Sequence, residues 1–349
     1  MVNFPITSSI LILIMFGSFY VPLLSDMQAG NINHIQLFVI TMYIACSNSR
    51  KPALVLLSGI VLGIGIMLKP NIFMIFVLSI ILTLVNKEFR RFFHLLLGCS
   101  LSAVICFLIS SMYFGRFSIW MDFLQSLPIT LNFIYPLEDG NISLTSLIFY
   151  LTKIKASFVI FGIIFSTFLY ISWISKNTKF SSYREIEAIQ EYDKEYVLKE
   201  IFSTTGVGCA IMLLSAGLAW LHYYVLLIPL IIFMIRPIRE KNNGEKNFMA
   251  IRLLAFIVTL LFTTISSSMV GYIALRQSIL FNIATVLLLV ITFYELWYQC
   301  DRTFNRNHAT RTMPYRSIRT ASPVAYLPVS SNVMAMFLLA AMYTEIQVF

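Results

Sequence analysis

The stretch "PALVLLSGIVLGIGIMLKPNIFMIFVLSIILTLV", residues 52–85, contains a single charged side chain, Lys69. Its two apolar runs are each near the short end of what crosses a bilayer as a helix. Pro is tolerated in the first turn of a helix, so Lys69-Pro70 reads as a junction between helices over 53–68 and 71–86. Gly59 and Gly63 stand four apart, a spacing of small residues that lets membrane helices approach closely. With Gly65 they superficially suggest a phosphate loop, but no strand pattern precedes the run. Lys69 has two readings. As a helix-terminal cation it offsets the dipole and snorkels; as a ligand it meets a phosphate.

The rest of the chain repeats this character. Of 349 residues, 58% are hydrophobic and 12% charged, with mean hydropathy +0.82. Soluble domains carry about twice that charge fraction, so the fold class predicted is an all-α polytopic membrane protein. Apolar runs at 5–24, 34–47, 53–68, 71–86, 92–113, 146–174, 201–220, 222–235, 249–268 and 272–298 predict about ten transmembrane helices. They form one transmembrane domain over 1–300, followed by a basic tail, 301–349, whose "NVMAMFLLAAMY" (332–343) reads as interfacial. Cys46, Cys99, Cys106, Cys209 and Cys300 lack metal or disulfide spacing and read as small hydrophobes, so no metal site is expected.

Charge placement sets the topology. "NSRKP" (48–52), "NKEFRR" (86–91), the mixed-charge 176–200 segment, "RPIREKNNGEKN" (236–247) and the tail hold 19 of the 25 Lys and Arg. Alternating helices put all five on one side, the cytoplasm by the positive-inside rule, with both termini. The net charge of +9 is therefore a matter of membrane orientation and anionic lipid, with no nucleic-acid partner implied. The 176–200 segment reads as a solvated surface helix.

Most unusual polar residues then fall on the outer face, where such groups tend to mark function. "QAGNIN" (28–33) is more polar than a turn with a helix cap needs. "YFGRFSIWMDFLQSLP" (113–128) reads as an interfacial amphipathic helix bearing Arg116 and Asp122. "LEDGNISL" (137–144) adds Glu138, Asp139 and the sequon Asn141-Ile142-Ser143. "AWLHYYVLLIPL" (219–230) places His222 at the top of a helix hairpin, and Arg276 adds a cation to the same face. Lys69, Arg116, Lys153, Lys155, His222 and Arg276 together suit a lipid-linked anionic head group or a transported anion; composition leaves both open.

Five segments in order, "AGNINHIQLFVI", "LLSGIVLGIGIMLKPNIFMIF", "YFGRFSIWMDFLQSLP", "DGNISLTSLIFYL" and "LAWLHYYVLLIPLIIFM", resemble glycosyltransferase family 87. Gly30-Asn31 stands where the family more often has Gly-Gln. The resemblance implies a GT-C-like bundle acting on a polyprenyl-phosphate hexose, mannose in the well-known branch, with a glycan or glycolipid acceptor and no separate cofactor. The donor sugar would sit on the outer face of the plasma (inner cell) membrane. An acceptor hydroxyl attacks the anomeric carbon with inversion, a carboxylate takes the proton, and the lipid phosphate leaves. Lys69, His222 and Arg276 would stabilise phosphate charge, with Asn31, Asn33 and Asn141 as further substrate-binding residues.

The family's presumed base lies in a loop between its first two helices, and only one apolar run precedes Gly30. The chain is therefore expected to lack the N-terminal part of the pattern and to show low or no transfer. Asp26, Glu138, Asp122 and Asp139 lie on the correct face; Asp122 and Asp139 are the base candidates, and the catalytic residue stays unassigned. Two other classes compete: a transporter or flippase for an anionic or lipid-linked solute, and a non-catalytic remnant. A transporter predicts midplane polar groups and an internal repeat; here the polar groups gather at one face.

Overall fold

The computed structural model describes residues 20–49, 51–137, 140–180, 189–235, 257–258 and 273–310. Among them the regular elements are helices: α1 (Val21–Gln28), α2 (Asn33–Ser47), α3 (Pro52–Leu68), α4 (Phe73–Val85), α5 (Phe89–Phe114) and α6 (Ile119–Asn132). Then follow α7 (Leu144–Thr152), α8 (Ser157–Phe180), α9 (Ile189–Ser215), α10 (Ile228–Ile235) and α11 (Ile273–Thr310). The protein is an all-α membrane protein. Phe89–Phe114, Ser157–Ile174 and Leu275–Trp297 are long and apolar enough to cross a bilayer, and Pro52–Leu68, Pro70–Val85, Glu200–Ser215 and Leu221–Phe233 are shorter apolar helical runs. The interfacial piece at 332–343 lies outside the described residues, as do nearly all of the expected run at 249–268 and most of 5–24.

The glycines do what their spacing promised. A Cβ on Gly63 would lie 2.8 Å from Ser102 Cβ, and one on Gly98 would lie 2.8 Å from the Ile60 amide nitrogen. Helices α3 and α5 therefore touch backbone to backbone, and Ser102 Oγ donates across the seam to Ile60 O at 2.7 Å. In lipid such contacts carry association, because burial of apolar surface from water does not. The cores are apolar and shared: Leu62, Ile72 and Ile75 are fully buried with α2 and α9 residues, and a larger cluster joins α4, α9, α10 and α11.

Two expected helices are broken. The 146–174 run is split, because Lys153 takes a left-handed φ of 61° that ends α7 and hands over to α8 at Ser157. An L side chain there closes a helix, and the chain restarts. The 222–235 run begins as a 3-10 segment, Leu221–Leu227, before α10. Pro229 has no N–H to give a carbonyl four residues back, so an α-helical ladder cannot run through this point. Conversely, residues 189–200 form no separate surface helix: they are the first turns of α9.

Hydrogen bonds join the connections into two ends. Arg91 Nη2 donates to Ser47 O at 2.8 Å and Asn86 Nδ2 to Glu200 Oε1 at 2.7 Å, gathering the basic connections at one end. At the other, Lys69 meets Asn31 and Asn33, and Asn31 in turn meets His222. Helix α6 begins there, after Gly115 closes α5 at φ 66°, and Trp120 Nε1 donates back to Ser110 Oγ at 2.7 Å. Met121, Phe123 and Leu124 stay exposed, the surface expected of an interfacial helix.

Candidate functional site

Lys69 occupies its place because of Pro70. The residue before a proline is driven out of the α region, and Lys69 ends α3 with extended φ −161° and ψ 120°. Its carbonyl accepts from Gln36 Nε2 at 2.8 Å, pinning the junction against α2. The ammonium donates to Asn33 Oδ1 at 2.8 Å and Asn31 Oδ1 at 3.1 Å, and lies 4.1 Å from the centroid of the Tyr223 ring. All three partners are neutral. Burial pushes the Lys69 amine down to about 8, with the charge of Asp26 working against the fall. It remains mostly protonated at neutral pH, a half-buried cation that no carboxylate among the described residues touches.

The turn before α2 supplies the two amides. Gly30 adopts φ 59° there, open to glycine at little cost. Asn31 Oδ1 also accepts the Ile32 N–H at 2.9 Å, and Asn31 Nδ2 meets His222 Nε2 at 2.8 Å. Asn33 Nδ2 donates to Asp26 Oδ1 at 2.8 Å and His222 O at 3.2 Å. Asp26, fully buried, accepts the His34 amide N–H at 2.9 Å through Oδ2, the same oxygen that lies 3.1 Å from His34 Nδ1. It thus caps α2, whose first amides have no helical acceptor.

His222 arrives from far along the chain. Residues 217–220 pass beside Asn141: Ile142 N–H donates to Ala219 O at 2.8 Å, and Asn141 bridges to Trp220. Half-exposed Trp220 and Tyr223 flank His222, at ring-centroid distances of 5.5 and 4.8 Å.

Asn31, Asn33, Lys69 and His222 are thus brought into one network. Asn141 is not in it. It is fully buried, and its side chain binds Tyr135 O, Gly217 O, Ser146 Oγ, Ser143 N and Ala219 N. Its role in this geometry is to hold the segment that carries His222, and its buried amide leaves the sequon closed. Arg276 is exposed on the first turns of α11, outside these hydrogen bonds. Asp122 is exposed and pairs with Arg116 at 3.5 Å; Asp139 and Glu138 lie outside the described residues. Asp26 and Tyr223 are network members that the sequence reading had not ranked among the site residues. A carboxylate seven positions before Asn33 was the available signal for Asp26. Among the described residues no three His, Cys, Asp or Glu side chains gather as a metal site.

The family model for glycosyltransferase family 87 matches residues 6–179. Asp26, Asn31, Asn33 and Lys69 lie inside that segment, and the fold brings His222 and Tyr223 to it from beyond its end. No curated protein and no solved structure matches the chain.

Proposed function

The chain belongs to glycosyltransferase family 87, a membrane glycosyltransferase family, and from that premise we propose that it uses a polyprenyl-phosphate hexose, mannose first among the sugars to test. The acceptor is a glycan or glycolipid, and transfer takes place on the outer face of the plasma membrane. Both termini face the cytoplasm, and residues 1–300 form the transferase domain ahead of a basic tail, 301–349. The observation that carries this reading is the Lys69 ammonium, half-buried and held by two amide oxygens and a ring face, with no carboxylate among the described residues in contact with it. Such a cation favours an incoming phosphate, because the neutral partners orient it without cancelling its charge. When the sugar leaves the phosphate, charge grows on the oxygen nearest that cation, and the interaction strengthens in the transition state. His222 is a second donor to the same phosphate, and Arg276 a second cation of the outer face.

The test is binding of a radiolabelled polyprenyl-phosphate mannose to the full chain in lipid nanodiscs. Lys69→Ala is expected to weaken it at least about tenfold, the loss of one charge-assisted hydrogen bond. Binding unchanged by both Lys69→Ala and His222→Ala would remove the phosphate from this site. Transfer to a glycolipid acceptor, measured on the same protein with Asp122→Asn and Asp139→Asn, assigns the base.

A further inference from the structure

The Lys69 network has a direction, and Asp26 sets it. An ionised carboxylate has no proton to give, so it can only accept. The atom of Asn33 that faces Asp26 Oδ1 at 2.8 Å and His222 O at 3.2 Å must therefore be the NH2 group. That orientation turns Asn33 Oδ1 to the ammonium of Lys69, 2.8 Å away. Asn31 is fixed in the same sense. Its Oδ1 faces two groups that can only donate, the Ile32 N–H at 2.9 Å and the Lys69 ammonium at 3.1 Å. Its NH2 group then points at His222 Nε2, 2.8 Å away. An imidazole nitrogen that receives a hydrogen bond carries a lone pair, so His222 is neutral with its proton on Nδ1.

We propose that Asp26 is a positioning residue of the phosphate site: through Asn33 it aims Lys69, and the amide chain continuing through Asn31 presents Nδ1–H of His222 as the second donor. The inference rests on the reading of Lys69 and His222 as phosphate ligands, yet the network itself is testable without any sugar. Its 0% exposure and its position behind Asn33 and the His34 amide close Asp26 to a ligand and leave it acting through those two groups and through its charge on Lys69. Among the described residues, the titratable groups around Lys69 are Asp26 from α1, with His34 from α2 against it, and His222 and Tyr223 from the 3-10 segment.

Asp26→Asn is nearly isosteric but has only one acceptor oxygen for the Asn33 and His34 groups that Asp26 serves, and it removes the negative charge that supports the Lys69 ammonium. Lys69 acylation by a water-soluble reagent, followed by peptide mass spectrometry across pH 6 to 10, reads the amine directly. The Asp26 charge holds the Lys69 amine up against the effect of burial, and its removal lowers that amine by about one pH unit or more, the ordinary size of a charge-partner effect. The variant's Lys69 should therefore acylate about tenfold faster than wild type at pH 6.5. An unchanged rate profile in a folded Asp26→Asn protein overturns the proposal.

A second measurement needs no variant and stands even where Asp26→Asn fails to fold. In histidine-labelled wild-type protein at pH 7, 15N NMR should place the His222 proton on Nδ1, with Nε2 unprotonated. His222→Gln identifies its signal. A doubly protonated ring, or a proton on Nε2, overturns the network. If both readouts hold and Lys69→Ala leaves donor binding unaltered, the positioning role of Asp26 stands and the phosphate reading falls.

Discussion

Replacing Asn141 by Ala separates a structural role from ligand contact. The side chain is fully buried; its Oδ1 accepts the Ser143 N–H at 3.1 Å and the Ala219 N–H at 2.9 Å, and its Nδ2 reaches Tyr135 O at 2.9 Å and Gly217 O at 2.8 Å. Gly217 O keeps other donors, Tyr135 N–H and Ser146 Oγ, so its loss is small. The two amide N–H groups do not, and each buried orphan costs about 1–3 kcal/mol, so Asn141→Ala should cost roughly 2–6 kcal/mol. Asn141→Asp keeps both accepting contacts but sets an oxygen against Gly217 O, and should destabilise as well. The assay is reversible unfolding in mixed micelles across an SDS titration, with donor binding measured on the same samples. Because Ala219 lies three residues before His222, binding should fall only as the folded fraction falls. A loss of stability below about 1 kcal/mol, together with lost binding, would make Asn141 a ligand contact and refute this account.

Lys69 gives a pH dependence with a defined sign. Its folded value of about 8 lies below the ordinary 10.5, so between these the unfolded chain holds the extra proton and stability rises with pH. Below about 8 the charged amine opposes folding in full, and Lys69→Met should flatten the slope of unfolding midpoints between pH 8 and 10.5. Anion binding runs the opposite way: affinity for a polyprenyl phosphate should fall as pH rises through about 8. Gly98→Ala forces a Cβ to 2.8 Å from the Ile60 nitrogen and should cost about 1–3 kcal/mol in the same SDS titration. Gly162→Ala, with nothing within 4 Å of its Cβ, is the control and should be neutral or stabilising.

Much of the protein was open to reading from residues alone. Charge scarcity and apolar runs led to an all-α membrane protein, because lipid leaves the backbone no partner but itself. The spacing of Gly59 and Gly63 pointed to close helix contact, and Lys69-Pro70 to a junction, since both follow from local sterics. Asn31, Asn33, Lys69 and His222 were picked out one by one, as polar groups costly at a membrane edge. Their meeting was not readable, for Asn31 and His222 are separated by most of the described chain and are joined by packing of α1 and α2 on the 3-10 segment. Nor was the division between Asn141 and that network, because the two kinds of buried asparagine look the same as letters. One spends its amide on backbone, the other on a lysine and a histidine. Hydropathy counts polar atoms; only the tertiary structure decides which donor faces which acceptor, and that is what makes Asp26 and Lys69 parts of one site.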